Sequence, residues 1–408
     1  MKCRHCKSEV NLSFVDLGNA PPSNAYLDVA ALDAPETWYP LKVLVCENCW
    51  LVQTKDYAHF AELFSADYAY FSSFSATWLL HAERYVGDMA QRFSLDANSL
   101  VIEVAANDGY LLQYAKVRGI RCIGVEPTAS TAMAAREKGI EVVQEFFGTK
   151  LADRMHRQRL EADLMVANNV LAHVPDINDF VAGFALLLKP DGVATFEFPH
   201  LLNLVRESQF DTIYHEHFSY LSLSAVQRIF ERNGLGVFDA EELSTHGGSL
   251  RVFAQRADTG RRSVSERLLR LRETEIKSGV ETSHFYSDFQ RKAEKVKNDF
   301  LTFLLQERGN GKRIAAYGAA AKGNTLLNFA GVRSDLISFV VDQNPAKQNK
   351  YMPGSRIPIL AESQIHEHKP DYVVILPWNL SAEIKLHLEY IREWGGQTVA
   401  AVPRLTVG

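Results

Sequence analysis

No stretch of this chain reaches the roughly 18 consecutive apolar residues that a membrane-spanning helix needs, and the first residues, MKCRHCKSEV, hold no apolar signal core. Positive charge is not in excess. Lys and Arg number 44 against 49 Asp and Glu, for a formal charge of −5, so no basic field points to nucleic acid or an anionic membrane surface. With 14 Pro and 24 Gly in 408 residues, the chain is neither low-complexity nor collagen-like. Its 47% hydrophobic share excludes a polar disordered chain. The expectation is a soluble, cytoplasmic α/β protein of two or three domains.

Cysteine is also scarce, but its spacing is informative. Four of the five cysteines form two CxxC pairs, Cys3 with Cys6 and Cys46 with Cys49. A reducing compartment disfavours structural disulfides, and two such knuckles supply four thiolates to one tetrahedral zinc. Four sulfur ligands leave the metal no open position, so its expected role is structural. Two disulfides or four idle thiols are the competing readings. Cys122, in the apolar run RCIGV, reads as a buried core thiol.

Four segments follow from the pattern. Residues 1–65 read as a zinc-binding module with a turn-rich VDLGNAPPSN and strands in LKVLVC and LVQT. Residues 66–260 hold a helix with Trp78, Leu79, Ala82, Val86 and Met89 on one face. Alternating strands and helices follow, which predicts a Rossmann-like parallel sheet. VFDAEELSTHGGSLRVFAQR predicts a closing antiparallel pair. Residues 261–310 read as a charged helical connector, and 311–408 as a smaller Rossmann-like α/β domain.

Open α/β sheets bind ligands at the carboxyl ends of their strands. The first strand ends in Glu103, Ala105, Asn107, Asp108 and Gly109; the second in Glu126 and Pro127; the fourth in Asn168 and Asn169. Small residues at the first turn allow close backbone approach, and an acid at the second strand end accepts both ribose hydroxyls. The absence of a full GxGxxG, and of positive charge for a pyrophosphate, favours S-adenosylmethionine over NAD. A second turn, Gly318 to Asn324 with Lys322 and Gly323, opens a helix and reads as an anion site for a sugar-nucleotide diphosphate. Asp342 at the next strand end leaves an NAD site open. The densest polar cluster is Tyr214-His215-Glu216-His217. Histidine is a base near neutrality, a carboxylate can steady an imidazolium, and a tyrosine can hold an enolate oxygen. In an extended segment Glu216 would face away from both histidines.

The ordered set CRHC, DLGNAPPSNAY, CENCWLVQ, EVAANDGYLL, GVEPT, NNVLAHVPD, FEFPH, YHEHFSYLS, HGGSLR and YGAAAKGNTLLN resembles the sugar C-methyltransferases of deoxysugar biosynthesis. The resemblance implies a zinc module, an S-adenosylmethionine-dependent methyltransferase core and a C-terminal α/β domain, acting on a nucleotide-linked 4-keto sugar. It implies active-site positions for Tyr214, Glu216 and His217, and of these His217 is the expected base, because an imidazole titrates near neutrality without further tuning. It places Tyr68, Asn169, His173, His246 and Arg251 at the substrate. A monomer with neither nucleic acid nor membrane as partner is expected. The rival readings are an O- or N-methyltransferase on a small metabolite, a nucleotide-sugar oxidoreductase using NAD at the C-terminal domain, and a zinc-scaffolded binding protein.

Overall fold

The computed structural model describes residues 1–57 and 71–408. Its first module is a four-stranded antiparallel sheet. Three strands come from the N-terminus: β1 (Leu12–Ala20), β2 (Tyr39–Val45) and β3 (Val52–Thr54). The fourth, β9 (Ser219–Tyr220), arrives from far along the chain. β1 runs through half of the stretch expected to be turns. Asp16, Gly18 and Asn19 fall at a register shift against β2 rather than in a loop. Gly18 adopts φ +75°, with its N–H on the Asp16 carboxylate at 3.0 Å. Turn-type residues here mark a bulge within a continuing strand.

The central domain is a seven-stranded sheet built from β4 (Leu100–Val104), β5 (Arg121–Val125), β6 (Glu141–Val143), β7 (Ala162–Asn168), β8 (Leu188–Pro199), β10 (Leu235–Leu243) and β11 (Ser249–Arg256). Their order is β10-β11-β8-β7-β4-β5-β6. All neighbours are parallel except β11, which is antiparallel to β8 and β10. β4 is buried at every residue, as a strand covered on both faces must be. The chain reverses direction across the sheet between β4 and β7, so a crevice opens at their carboxyl ends. Helix Ala76–Arg92 is capped by the Ser75 side chain and buries Ala82, Val86 and Met89, with Trp78 and Leu79 packed beside them. Cys122 packs against the same cluster, and burial pushes its thiol up to about 11.

The last domain is a six-stranded sheet in the order β14-β13-β12-β15-β16-β17. It comprises β12 (Ile314–Tyr317), β13 (Val340–Val341), β14 (Ile359–Leu360), β15 (Tyr372–Ile375), β16 (Gln397–Ala400) and β17 (Thr406–Val407). The expected connector is part of the core. Phe289 in helix Phe289–Gly309 stacks on Phe14 of β1 at 4.3 Å, and Phe300 and Leu304 join an apolar cluster shared with the last domain. In helix Glu266–Ser278, the fully buried Glu275 accepts from the backbone N–H groups of Leu223 and Ser224 and contacts His200 Nε2 at 2.7 Å. Each of these charged helices turns one narrow apolar face inward, Leu268 and Leu271 in Glu266–Ser278 and Phe289, Ala293, Val296, Phe300 and Leu304 in Phe289–Gly309.

Candidate active site

The four N-terminal thiols form one cluster. Cys3 and Cys49 lie 3.6 Å apart and Cys6 and Cys46 3.5 Å apart, and all four sulfurs fall within 4.8 Å of one another. Sulfurs around a tetrahedral zinc at ~2.3 Å are separated by about 3.8 Å, so the cluster fits the metal. These spacings are far longer than a disulfide bond of ~2.05 Å.

At the end of β4 the turn uses three left-handed residues, Ala105 (φ 59°), Asn107 (φ 48°) and Gly109 (φ 75°). Only glycine fits at the last, because a Cβ there would come within 2.4 Å of Ile140. Glu126, at the end of β5, accepts from the N–H groups of Asn107 and Thr128, both at 2.9 Å, so one carboxylate fixes both turns. Pro127 lies between Glu126 and Thr128 on this second turn. Burial, with Asp108 and Glu126 nearby, raises Glu103 well above the usual carboxylate range. One oxygen of Asp108 and both polar atoms of the Asn168 side chain are buried without a hydrogen-bond partner. Orphaned polar atoms at the two adjacent strand ends of β4 and β7 suit an adenosyl ligand that brings its own donors and acceptors. S-adenosylmethionine therefore fits this crevice.

Beside it lies a cluster of polar side chains drawn from all three modules, with Asn24 on Glu216 and Lys322 near His217. Tyr214–His217 is a turn, not a strand, closed by the His217 N–H on the Tyr214 carbonyl at 2.9 Å. The turn brings Glu216 and His217 inward together, contrary to the alternation of an extended segment. His217 Nδ1 lies 2.8 Å from the Thr212 carbonyl. A carbonyl only accepts, so Nδ1 carries the proton and Nε2 the lone pair. Its ring meets Tyr214 at 4.0 Å and His173 at 4.6 Å between centroids. Burial, then His173, push the His217 pKa well below its ordinary value; burial takes His173 down to about 4, against a bond to the Glu216 carbonyl. Glu216 is pushed up to about 7 by burial, opposed by Asn24, whose Nδ2 reaches its two oxygens at 2.7 and 2.8 Å. His215 points elsewhere, with Nε2 3.3 Å from the Tyr39 carbonyl.

Asn169 (φ 53°) and His246 (φ 53°) meet at 3.1 Å, and burial lowers His246 to about 4. Trp78 packs edge-on to His246 at 5.2 Å. Arg251 is engaged within the protein: its guanidinium bonds Glu197 at 2.7 Å and Glu241 at 2.8 Å and covers the Tyr85 ring. Tyr68 lies outside the described residues.

The second turn is arranged differently from an open phosphate cradle. A Cβ on Gly318 or Gly323 would meet Pro377 at 2.6 Å or Leu376 at 2.8 Å, so both glycines admit the chain's own next strand end. Asp342 holds the Ala319 N–H at 2.7 Å and the Asn344 N–H at 2.8 Å. Lys322 turns toward the methyltransferase pocket: Nζ donates to Asn379 at 2.7 Å and sits 4.8 Å from the Trp378 ring. Its charge also acts on His217 and His246, after burial. Asn324 donates to the Ser23 carbonyl and the Thr325 hydroxyl to the Ile213 carbonyl at 2.8 Å, fastening this helix to the pocket loops. Trp378 Nε1 donates to Asp211 at 2.6 Å. Burial takes Asp211 up to about 6, against Lys322 and Trp378. Reading along the chain missed Asn24, Trp78, Asp211 and Trp378. Asn24 alone carried a signal, within the motif DLGNAPPSNAY.

Three family models match the chain in order: a zinc binding domain over 3–64, a methyltransferase domain over 78–239 and a C-methyltransferase C-terminal domain over 244–403. The C-methyltransferase NovU of Streptomyces niveus is 33% identical over 405 residues, spanning 98% of this chain and 95% of its own. A ubiquinone biosynthesis O-methyltransferase of Bradyrhizobium is 29% identical over 152 residues, 31% of this chain and 59% of its own. Among solved structures, magnesium protoporphyrin IX methyltransferase of Synechocystis with bound SAM has a TM-score of 0.33 at 16% identity, covering 44% of this chain and 79% of its own. The PH0226 protein of Pyrococcus horikoshii has a TM-score of 0.38 at 13% identity, covering 48% and 100%. On the match to NovU along nearly the whole length of both chains, and on the three family models that this chain matches in order, the chain belongs to the C-methyltransferase family.

Proposed function

We propose that this C-methyltransferase adds a methyl group to C3 of a nucleotide-linked 4-keto deoxysugar. The observation that carries the reading is the tautomer of His217. Its Nδ1–H is held by the Thr212 carbonyl, so Nε2 presents a lone pair in a pocket shared with His173 and Tyr214. A C4 ketone acidifies the C3–H, and His217 removes that proton. Burial disfavours its protonated form, which leaves Nε2 free to accept the proton. Tyr214 donates to the enolate oxygen, and the Lys322 ammonium adds positive charge on the same side. Glu216, fixed by Asn24, orients the turn that carries the base. S-adenosylmethionine supplies an electrophilic methyl on its sulfonium. Glu126, Asn107, Asp108, Gly109 and Asn168 hold it at the strand ends so that C3 and the methyl are aligned in the pocket. The C-terminal domain holds the nucleotide, and its Lys322 reaches the sugar rather than lying in a closed turn.

The test is incubation with S-adenosylmethionine and a panel of nucleotide-linked 4-keto sugars, read by mass. A gain of one methyl at carbon, with loss of the C3 hydrogen, is expected. A methyl on oxygen or nitrogen, with C3–H retained, would overturn the reading.

A further inference from the structure

We propose that Arg4, seated between the two cysteines of the first knuckle, is a positioning residue that fixes His173 and His217 relative to each other. The metal module would then set the geometry of the methyl-acceptor pocket. The inference rests on the reading of His217 as the base.

Arg4 is buried, with only 7% of its surface exposed. Its guanidinium grips three backbone carbonyls from three parts of the chain. Nε donates to Phe218 at 3.2 Å, Nη1 to Pro175 at 3.2 Å and Nη2 to Thr54 at 3.0 Å. Phe218 directly follows His217, and Pro175 comes two residues after His173. The fork therefore spans the two short segments whose histidine rings meet at 4.6 Å. Other bonds support the same join. Phe218 N–H donates to Ala172 at 2.8 Å, Thr54 N–H to Phe218 at 3.2 Å, and the Thr54 hydroxyl to His217 at 3.2 Å.

The other end of Arg4 is fixed to the knuckle. Its N–H donates to Gln53 Oε1 at 2.9 Å, and Gln53 Nε2 donates to Cys3 Sγ at 3.3 Å. Lys7 and Asn178 cap its carbonyl. A metal that fixes Cys3 and Cys6 thus fixes Arg4 between them. Arg4 Nη2 also pairs with Asp56, whose carboxylate is 58% exposed, so a single ion pair at the rim leaves the three buried carbonyls as the rest of what the fork holds. What the site uses is a rigid planar fork with several donors, which a lysine lacks.

The test uses full-length Arg4→Lys and Arg4→Gln enzyme. Four quantities are measured: zinc content, S-adenosylmethionine affinity by calorimetry, kcat and KM on the accepted sugar, and histidine ring signals by NMR. With zinc stoichiometric and methyl-donor affinity unchanged, kcat should fall by about a hundredfold, the scale set by a displacement near 1 Å. KM should change far less. Ring signals of His173 and His217 should move, while that of exposed His156 should not. Wild-type kcat and unmoved ring signals in Arg4→Lys would overturn the proposal. So would loss of zinc in step with turnover in both variants, because Arg4 would then act on the module alone. If wild type methylates no keto sugar, the reading of function fails, and the ring signals still decide the role of Arg4.

Discussion

The side chain of Asn24 donates to both carboxylate oxygens of Glu216, 192 residues away in sequence, at 2.7 and 2.8 Å. A loop of the zinc module thereby completes the turn that carries His217. An amide nitrogen donating to both oxygens matches the ionised carboxylate, which only accepts.

That geometry gives a sign to the pH dependence. Glu216 is raised to about 7 and its ionised form is the one Asn24 fits, so kcat/KM should rise with pH through an apparent pKa near 7. Burial lowers both His217 and His173, the latter to about 4, so the rising limb is assigned to Glu216. Asn24→Ala removes a charge-assisted bond, of roughly 1.5–3 kcal/mol. It should move the limb upward by about one unit or more. A pH profile unchanged in both Asn24→Ala and Glu216→Gln would exclude this role.

His217→Asn should lower turnover by about 10²–10⁴-fold, the usual scale of general-base catalysis. S-adenosylmethionine affinity should be unchanged. Wild type, supplied with the demethylated cofactor product in deuterated water, should exchange the C3 hydrogen, and the variant should not. Exchange at the wild-type rate in the variant would move the role to His173.

Glu126→Ala should weaken S-adenosylmethionine binding by at least about 1–3 kcal/mol, the cost of losing charged hydrogen bonds. The loss should sit at the upper end, because the same carboxylate fixes the Asn107 and Thr128 turns. Calorimetry against the purified enzyme measures it directly.

Replacing Lys322 by Met keeps the stem and removes the charge beside Asp211, His217 and His246. Turnover should fall and methyl-donor affinity should stay. Equal loss of both ligands would show instead that the first turn of helix Ala321–Ala330 supports the whole domain junction.

Cys46→Ser removes one of four clustered sulfurs. Elemental analysis should show zinc reduced from one equivalent, and folding yield should fall, because β1–β3 alone make a small core. Full zinc content in the variant would show that Cys46 is not a ligand.

Much of this was written in local sequence. Hydrophobic runs and turn residues determined the alternating strands and helices of the two Rossmann-like sheets, because a parallel strand covered on both faces must be apolar along its length. The CxxC spacing determined the metal cluster, because each knuckle already sets two thiolates on one turn. Glu126 was legible because its place follows from a strand end. Residue types also marked Tyr214, Glu216 and His217, but only tertiary structure turned them to one side, through a tight turn that alternation did not foresee. It also decided that Lys322 leaves its own turn for the pocket, and that Arg251 serves internal ion pairs. Asn24 and Arg4 act at sequence separations of 192 and 214 residues. No local pattern encodes such pairings, because what selects them is the burial of carbonyls and carboxylates that each need a donor once the modules close on one another.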